Sequence, residues 1–200
     1  SFCAGTLAGL FLPVAFIAAL ETVLLLMLAL FCAGMSAQVV LPADGNVYRF
    51  VNVATGKVFT NGDSDTHGTF LSVADVNENS KGQEWALVSL SPKEALYVLY
   101  NIDYNQVADM AWSGNAPGKL LQWDATCTDN QSFYVNIVDE AEGIVQFLDK
   151  TERSKVLQVQ NDNSLVMTEG ASGESTYFRL QYIKAEKINY LPVIGNYFII

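Results

Sequence analysis

Apolar residues fall along this chain in two unlike patterns. From Thr6 to Met35 nearly every position is apolar, small or Pro, and Glu21 is the single charge of residues 1–37. After Pro42 the pattern breaks into short runs rich in β-branched and aromatic side chains, at 47–53 (VYRFVNV), 96–102 (LYVLYNI), 144–148 (IVQFL), 156–159 (VLQV) and 178–183 (FRLQYI). Such residues suit the pleated surface of a strand. Turn signals separate the runs, among them Ala54-Thr55-Gly56, Asn61-Gly62-Asp63, Ser113-Gly114-Asn115 and Asn161-Asp162-Asn163-Ser164. No stretch after Gln38 keeps a helical period for three turns. Many short strands with turns every ~8–12 residues predict an all-β sandwich or barrel.

The leading apolar segment has a different meaning. Its run 22–32 (TVLLLMLALFC) has the length of a signal-peptide core, and small residues follow in 33–37 (AGMSA). Residues 1–37 are therefore expected to be a helical export segment, cleaved near Ala37, with 38–45 a linker and the protein secreted or held at the cell surface. A retained transmembrane helix is the competing reading, because the whole run exceeds the ~20 residues that span a bilayer. Pro13, Glu21 and the missing basic flanks argue against it. A lipid anchor on Cys32 fits less well, since bulky Leu30 and Phe31 precede it.

Internal repetition separates barrel from sandwich. Gln83-Glu84-Trp85, Gln131-Ser132-Phe133 and Thr176-Tyr177-Phe178 each precede an apolar strand, and their aromatics lie 48 and 45 residues apart. Upstream of each runs the same order of strand, turn, shorter strand and polar loop. The period implies three similar units, about 46–94, 95–139 and 140–183, none able to bury its apolar face alone.

Charge and cysteine usage narrow the function. Eleven Lys and Arg against 21 Asp and Glu leave a formal charge of −10, which repels nucleic acid and anionic membranes. One histidine, His67, and three cysteines exclude zinc-finger and disulfide-framework classes. Loss of residues 1–37 would leave Cys127 as the one cysteine, so the apolar core alone must hold the exported domain.

Three units of this length, each ending in Gln-x-Trp or a relic of it, resemble the ricin B-type β-trefoil lectin domain across about 46–183. The resemblance implies an all-β trefoil in which Trp85, Phe133 and Phe178 belong to the core, while Gln83 and Gln131 tie loops together. It also implies a sugar site in each intact unit: an Asp on an early strand, an aromatic before the polar loop, and an Asn ahead of Gln-x-Trp. The second unit has all three, Asp109, Trp123 and Asn130, and Gln122 beside the ring could add a hydrogen bond. The first unit has Thr60, Asp75 and Gly82 at those places, and the third has Gln158, Thr168 and Ser175. These types suit a neutral sugar, whose hydroxyls need a carboxylate or amide and whose C–H face needs an open aromatic ring. Without the site, Trp123 would be a core aromatic and Asp109 a turn cap. Trp112 is expected to pack on the barrel, with a wall of the pocket as the alternative.

Other chemical signals lead elsewhere. The segment 62–68 (GDSDTHG) begins like a calcium loop but carries Ala74 where a bidentate Glu must close the site, so it reads as a hairpin loop and no metal is expected. No nucleophile and base are paired, no Gly-rich phosphate loop is present, and no cofactor is implied. Asn130-Gln131-Ser132 is a glycosylation sequon whose glycan would cover the proposed site. The stretch 184–200 ends on apolar residues and reads as the start of a further segment, with a possible domain beyond residue 200. The expectation is an exported, non-enzymatic carbohydrate-binding module. The rivals are a trefoil that binds protein and the targeting part of a larger carbohydrate-active enzyme.

Overall fold

The computed structural model describes residues 45–112, 116–126 and 128–186. The expected export segment, the linker up to residue 44, Cys127 and the stretch beyond 186 lie outside the described residues. Twelve strands form: β1 (Asn46–Asn52), β2 (Val58–Thr60), β3 (Ser72–Ala74), β4 (Trp85–Ser91), β5 (Leu96–Asn101), β6 (Gln106–Met110), β7 (Leu120–Trp123), β8 (Phe133–Asp139), β9 (Ile144–Asp149), β10 (Lys155–Val159), β11 (Leu165–Glu169) and β12 (Phe178–Ala185). They fall into three sets of four. In each set a one-turn 3-10 helix, Lys81–Gln83, Asp129–Gln131 or Glu174–Thr176, precedes the fourth strand.

Pairing shows how the sets join. Within each set the first strand pairs with the fourth, as β1–β4, β5–β8 and β9–β12. The fourth strand then pairs with the first of the next set, as β4–β5 and β8–β9, and β12 returns to β1. Those six strands close a barrel that leaves no edge. A register shift interrupts each pairing between sets, where bulges sharpen the bend that closure needs. The remaining strands make three hairpins, β2–β3, β6–β7 and β10–β11. Isolated bridges join the hairpins to one another: Phe70 to Leu121, Ser72 to Ser164 and Lys119 to Val166. This is a β-trefoil, the barrel rather than the sandwich.

The sequence builds it by repeating one inward pattern. Tyr48 and Phe50 on β1, Tyr97 and Leu99 on β5, and Val145 and Phe147 on β9 alternate into a single core. Trp85, Phe133 and Phe178 begin the fourth strands and are completely buried. The rings of Trp85 and Phe178 end a continuous aromatic chain: Phe59 lies 4.8 Å from Trp85 and 5.7 Å from Phe50. Phe50 lies 5.2 Å from Phe147, which lies 5.6 Å from Phe178. The Trp85 indole N–H donates to the Gly82 carbonyl at 2.9 Å, so this polar atom is satisfied inside the core.

A second repeated device ends each first strand. Asn52, Asn101 and Asp149 are buried polar residues whose side-chain oxygens accept a backbone N–H from the following turn: Thr55 at 3.2 Å, Tyr104 at 3.2 Å and Thr151 at 2.8 Å. The two amides also donate onward. Asn52 reaches the carbonyls of Ser175 and Tyr177, and Asn101 that of Lys81. Each amide thus fastens a turn of its own unit to the 3-10 turn of the unit before it in the ring.

Candidate functional site

The second unit's hairpin presents two faces because side chains alternate along a strand. Its register sets Val107 opposite Trp123, Ala108 opposite Gln122, Asp109 opposite Leu121 and Met110 opposite Leu120. Ala108, Met110 and Leu120 point into the core, so Asp109 and Trp123 share the outer face. They are diagonal neighbours across the two strands, a placement that separates Cα atoms by roughly 7–8 Å. The Trp123 ring is 43% exposed and is therefore not a core aromatic.

The 3-10 turn Asp129–Gln131 supplies the other groups. Asn130 donates from Nδ2 to Asp109 Oδ1 at 2.7 Å, and Gln131 donates from Nε2 to Asp109 Oδ2 at 2.8 Å. Asp109 is only 9% exposed. Burial pushes its pKa above the ordinary carboxylate range, while the hydrogen bonds from Gln131 and Asn130 partly oppose that rise. Each carboxylate oxygen accepts one of these amide hydrogens and has a second lone pair for another donor. Asn130 is itself oriented by the Thr128 hydroxyl, which donates to its Oδ1 at 2.7 Å.

The two Gln-x-Trp-type glutamines hold loops. Gln83 accepts from the Asn77 N–H at 2.9 Å and donates to the Asp75 carbonyl at 2.8 Å. Gln131 accepts from the Thr126 N–H at 2.8 Å and donates to the Asp124 carbonyl at 2.9 Å. In the third unit Thr176 stands at that place and reaches only the Gly173 carbonyl and the Gln146 amide.

Gln122 requires a correction. It is completely buried, and its amide is used by a loop of the first unit: Oε1 accepts from Asn61 at 2.7 Å, while Nε2 donates to the carbonyls of Ser64 and Thr66 at 2.8 and 2.9 Å. As Trp123's neighbour it must face the opposite way, so it fixes the loop rather than meeting a ligand. Backbone bonds from Gly68 N–H to the Gln122 carbonyl and from Gln122 N–H to the Thr69 carbonyl, both 2.9 Å, bind the same loop to β7. This loop delivers a residue that sequence reasoning missed. His67 sits with its ring centroid 5.4 Å from that of Trp123, and its Nε2 lies 3.1 Å from Asp124 Oδ1.

The first unit closes the equivalent place with its own chain. Thr60 is buried, and its hydroxyl accepts from the Gly62 N–H at 2.9 Å. The β2–β3 register puts Ala74 opposite Val58, so Ala74, one residue before the expected Asp75, matches Trp123. Gly82 stands for Asn130, and a Cβ built there would lie 2.1 Å from Asn61 Oδ1 and 2.7 Å from Asp63 N. Asp63 Oδ1 instead accepts the Gly82 N–H at 2.6 Å, the Ser80 hydroxyl at 3.0 Å and the Tyr104 hydroxyl at 3.2 Å. Burial raises the Asp63 pKa, but these bonds outweigh it and hold the group below its usual value. Among the described residues no three His, Cys, Asp or Glu side chains converge as a metal site. In the third unit Gln158 donates to Ser175 Oγ at 3.1 Å, and Thr168, opposite Val156, takes the ring's place.

Comparison with known proteins agrees with this fold. Residues 38–123 match the family described as ricin-type beta-trefoil lectin domain-like. No curated protein matches the chain. The fold is shared with a designed threefold-symmetric protein, ThreeFoil, at TM-score 0.60 and 20% identity over 70% of this chain and all of that one. An exo-β-1,3-galactanase from Clostridium thermocellum is similar at TM-score 0.59 and 19% identity, over 72% of this chain but 31% of the enzyme. The Rhizoctonia solani agglutinin is similar at TM-score 0.57 and 15% identity, over 72% of this chain and 99% of that one. The chain thus carries a β-trefoil, and its residues 38–123 are similar to the ricin-type lectin-like family.

Proposed function

We propose that this chain is an exported, non-catalytic module that binds carbohydrate through its second unit. The observation that carries this reading is the Asp109 carboxylate, fixed by amide hydrogens from Asn130 and Gln131 on the same hairpin face as the exposed indole of Trp123. Two adjacent sugar hydroxyls would donate to the remaining lone pairs of Asp109. The second amide hydrogen of Asn130, which meets the Met110 carbonyl only at 3.4 Å, would reach a ring oxygen. Trp123 would cover the C–H face of the sugar. Carboxylates without a paired partner across an open gap do not amount to a hydrolytic site, so binding is the whole chemistry proposed.

One shallow site of this kind gives a dissociation constant near ~1 mM, about −4 kcal/mol. Useful affinity then needs several copies or attachment to another module. The galactanase, which shares this fold over part of its length, supports the second arrangement, in which the trefoil targets a catalytic domain lying beyond residue 200. The test is a glycan array probed with the full chain. Wild-type binding that drops at least about tenfold in both Asp109→Ala and Trp123→Ala supports the site, since tenfold is about 1.4 kcal/mol of lost contact. Binding that survives both changes rejects it.

A further inference from the structure

Beyond Asn130 the surface continues into a cleft of about 250 Å³ lined by Met110, Trp112, Pro117, Thr151, Glu152 and Lys155, with Gly118 and Met167 at its floor. One wall comes from the β6–β7 hairpin and the other from the β9–β10 turn of the third unit. The floor is rigid: the Met167 N–H donates to the Gly118 carbonyl at 2.8 Å, and Gly118 holds φ +82°, where a Cβ would stand 3.2 Å from the Met167 carbonyl. Trp112 was expected to pack on the barrel, yet its indole is 61% exposed, more than any other large apolar side chain described. Glu152 and Lys155 line the same cleft and form a 2.8 Å ion pair, which sets an acceptor beside a donor.

The cleft and the Asp109 site share a wall. Asn130 bonds both the Asp109 carboxylate and the Met110 carbonyl. Its neighbour Asp129 pairs at 2.8 Å with Lys150, next to Thr151. An indole and a donor–acceptor pair lining one space just below the roughly 300–1,000 Å³ of drug-sized pockets suit one more sugar ring. Resting on the proposed sugar site, we propose that this cleft is a second subsite, so that the ligand is an oligosaccharide running from Trp123 over Asn130 onto Trp112.

The test titrates the full chain with mono- to tetrasaccharides chosen as hits from a glycan array. Wild type should bind the oligosaccharides about tenfold more tightly than the matching monosaccharide, a gain of one modest contact surface. Trp112→Ala, an exposed change, should erase that gain and leave monosaccharide affinity alone, while Trp123→Ala weakens both. An unchanged oligosaccharide preference in Trp112→Ala overturns the subsite and leaves the Asp109 site standing. A wild-type protein that binds no sugar of any length overturns both.

Discussion

The first and second units share one backbone plan and end with opposite surfaces. In both, a hairpin lies beside a 3-10 turn whose glutamine, Gln83 or Gln131, ties the same loops. At the second unit's turn Asn130 sends its side chain to a carboxylate on the same hairpin face as an open ring. At the first unit's turn Gly82 has no side chain, and Asn61 and Asp63 fold into the space. The comparison teaches that framework and site are separable here. Repeated aromatics and amides build the barrel three times, whereas three non-repeated residues decide whether a unit has an outward-facing polar pocket.

The sharpest way to break that separation is to exchange the two kinds of tryptophan. Trp85→Ala removes a completely buried ring and its internal hydrogen bond, and should cost about 3–5 kcal/mol in urea unfolding. Trp123→Ala should cost within ~0.5 kcal/mol, as surface changes do, while removing sugar binding. Equal losses of stability would show that the exposed ring belongs to the framework after all.

A smaller effect probes why the first unit is closed. Gly82→Asn restores the residue type found in the second unit, but its Cβ meets Asn61 Oδ1 and the Asp63 backbone. The change should destabilise the fold by about 1–3 kcal/mol without adding a second binding site by calorimetric stoichiometry. A stable variant with doubled stoichiometry would contradict the account of the closed unit.

The mildest effect is in pH. Burial holds the Asp109 proton above the ordinary carboxylate range in the folded chain. The folded state therefore binds that proton more tightly than the unfolded one, and Asp109's contribution to stability falls as pH rises through the interval between the two values. Sugar binding should run the other way, because it needs the carboxylate. Affinity should decline on acidification from a higher pH than an ordinary aspartate would give. Asp109→Asn should bind weakly and show no such decline. A wild-type profile that matches Asp109→Asn would remove the carboxylate from the site.

The threefold plan was legible in the sequence because core aromatics recur at nearly equal spacing, and burial tolerates little change of place. A second recurrence, Asn52, Asn101 and Asp149, stands in the sequence too, but each residue alone looks like an ordinary turn former. The residue types of the second unit's site could also be picked out. Their surroundings were harder to see. The rule of alternation would have turned Gln122 inward, because its neighbour Trp123 faces out. The aromatic's place in the first unit is Ala74, one residue before Asp75: the stretch from Thr60 to Ala74 is as long as that from Asp109 to Trp123, so strict counting along the hairpin reaches it. His67 could not be placed beside Trp123 at all, since that contact depends on a first-unit loop packing on the second unit's β7.

The central claim is that one face of the second unit meets the sugar. Its most direct test is to follow the indole N–H and side-chain amide signals by NMR while adding a monosaccharide that the protein binds. The signals of Trp123 and Asn130 should shift together and saturate with one constant, while that of buried Trp85 stays still. Shifts confined to the first or third unit, with Trp123 and Asn130 unmoved, would contradict the account.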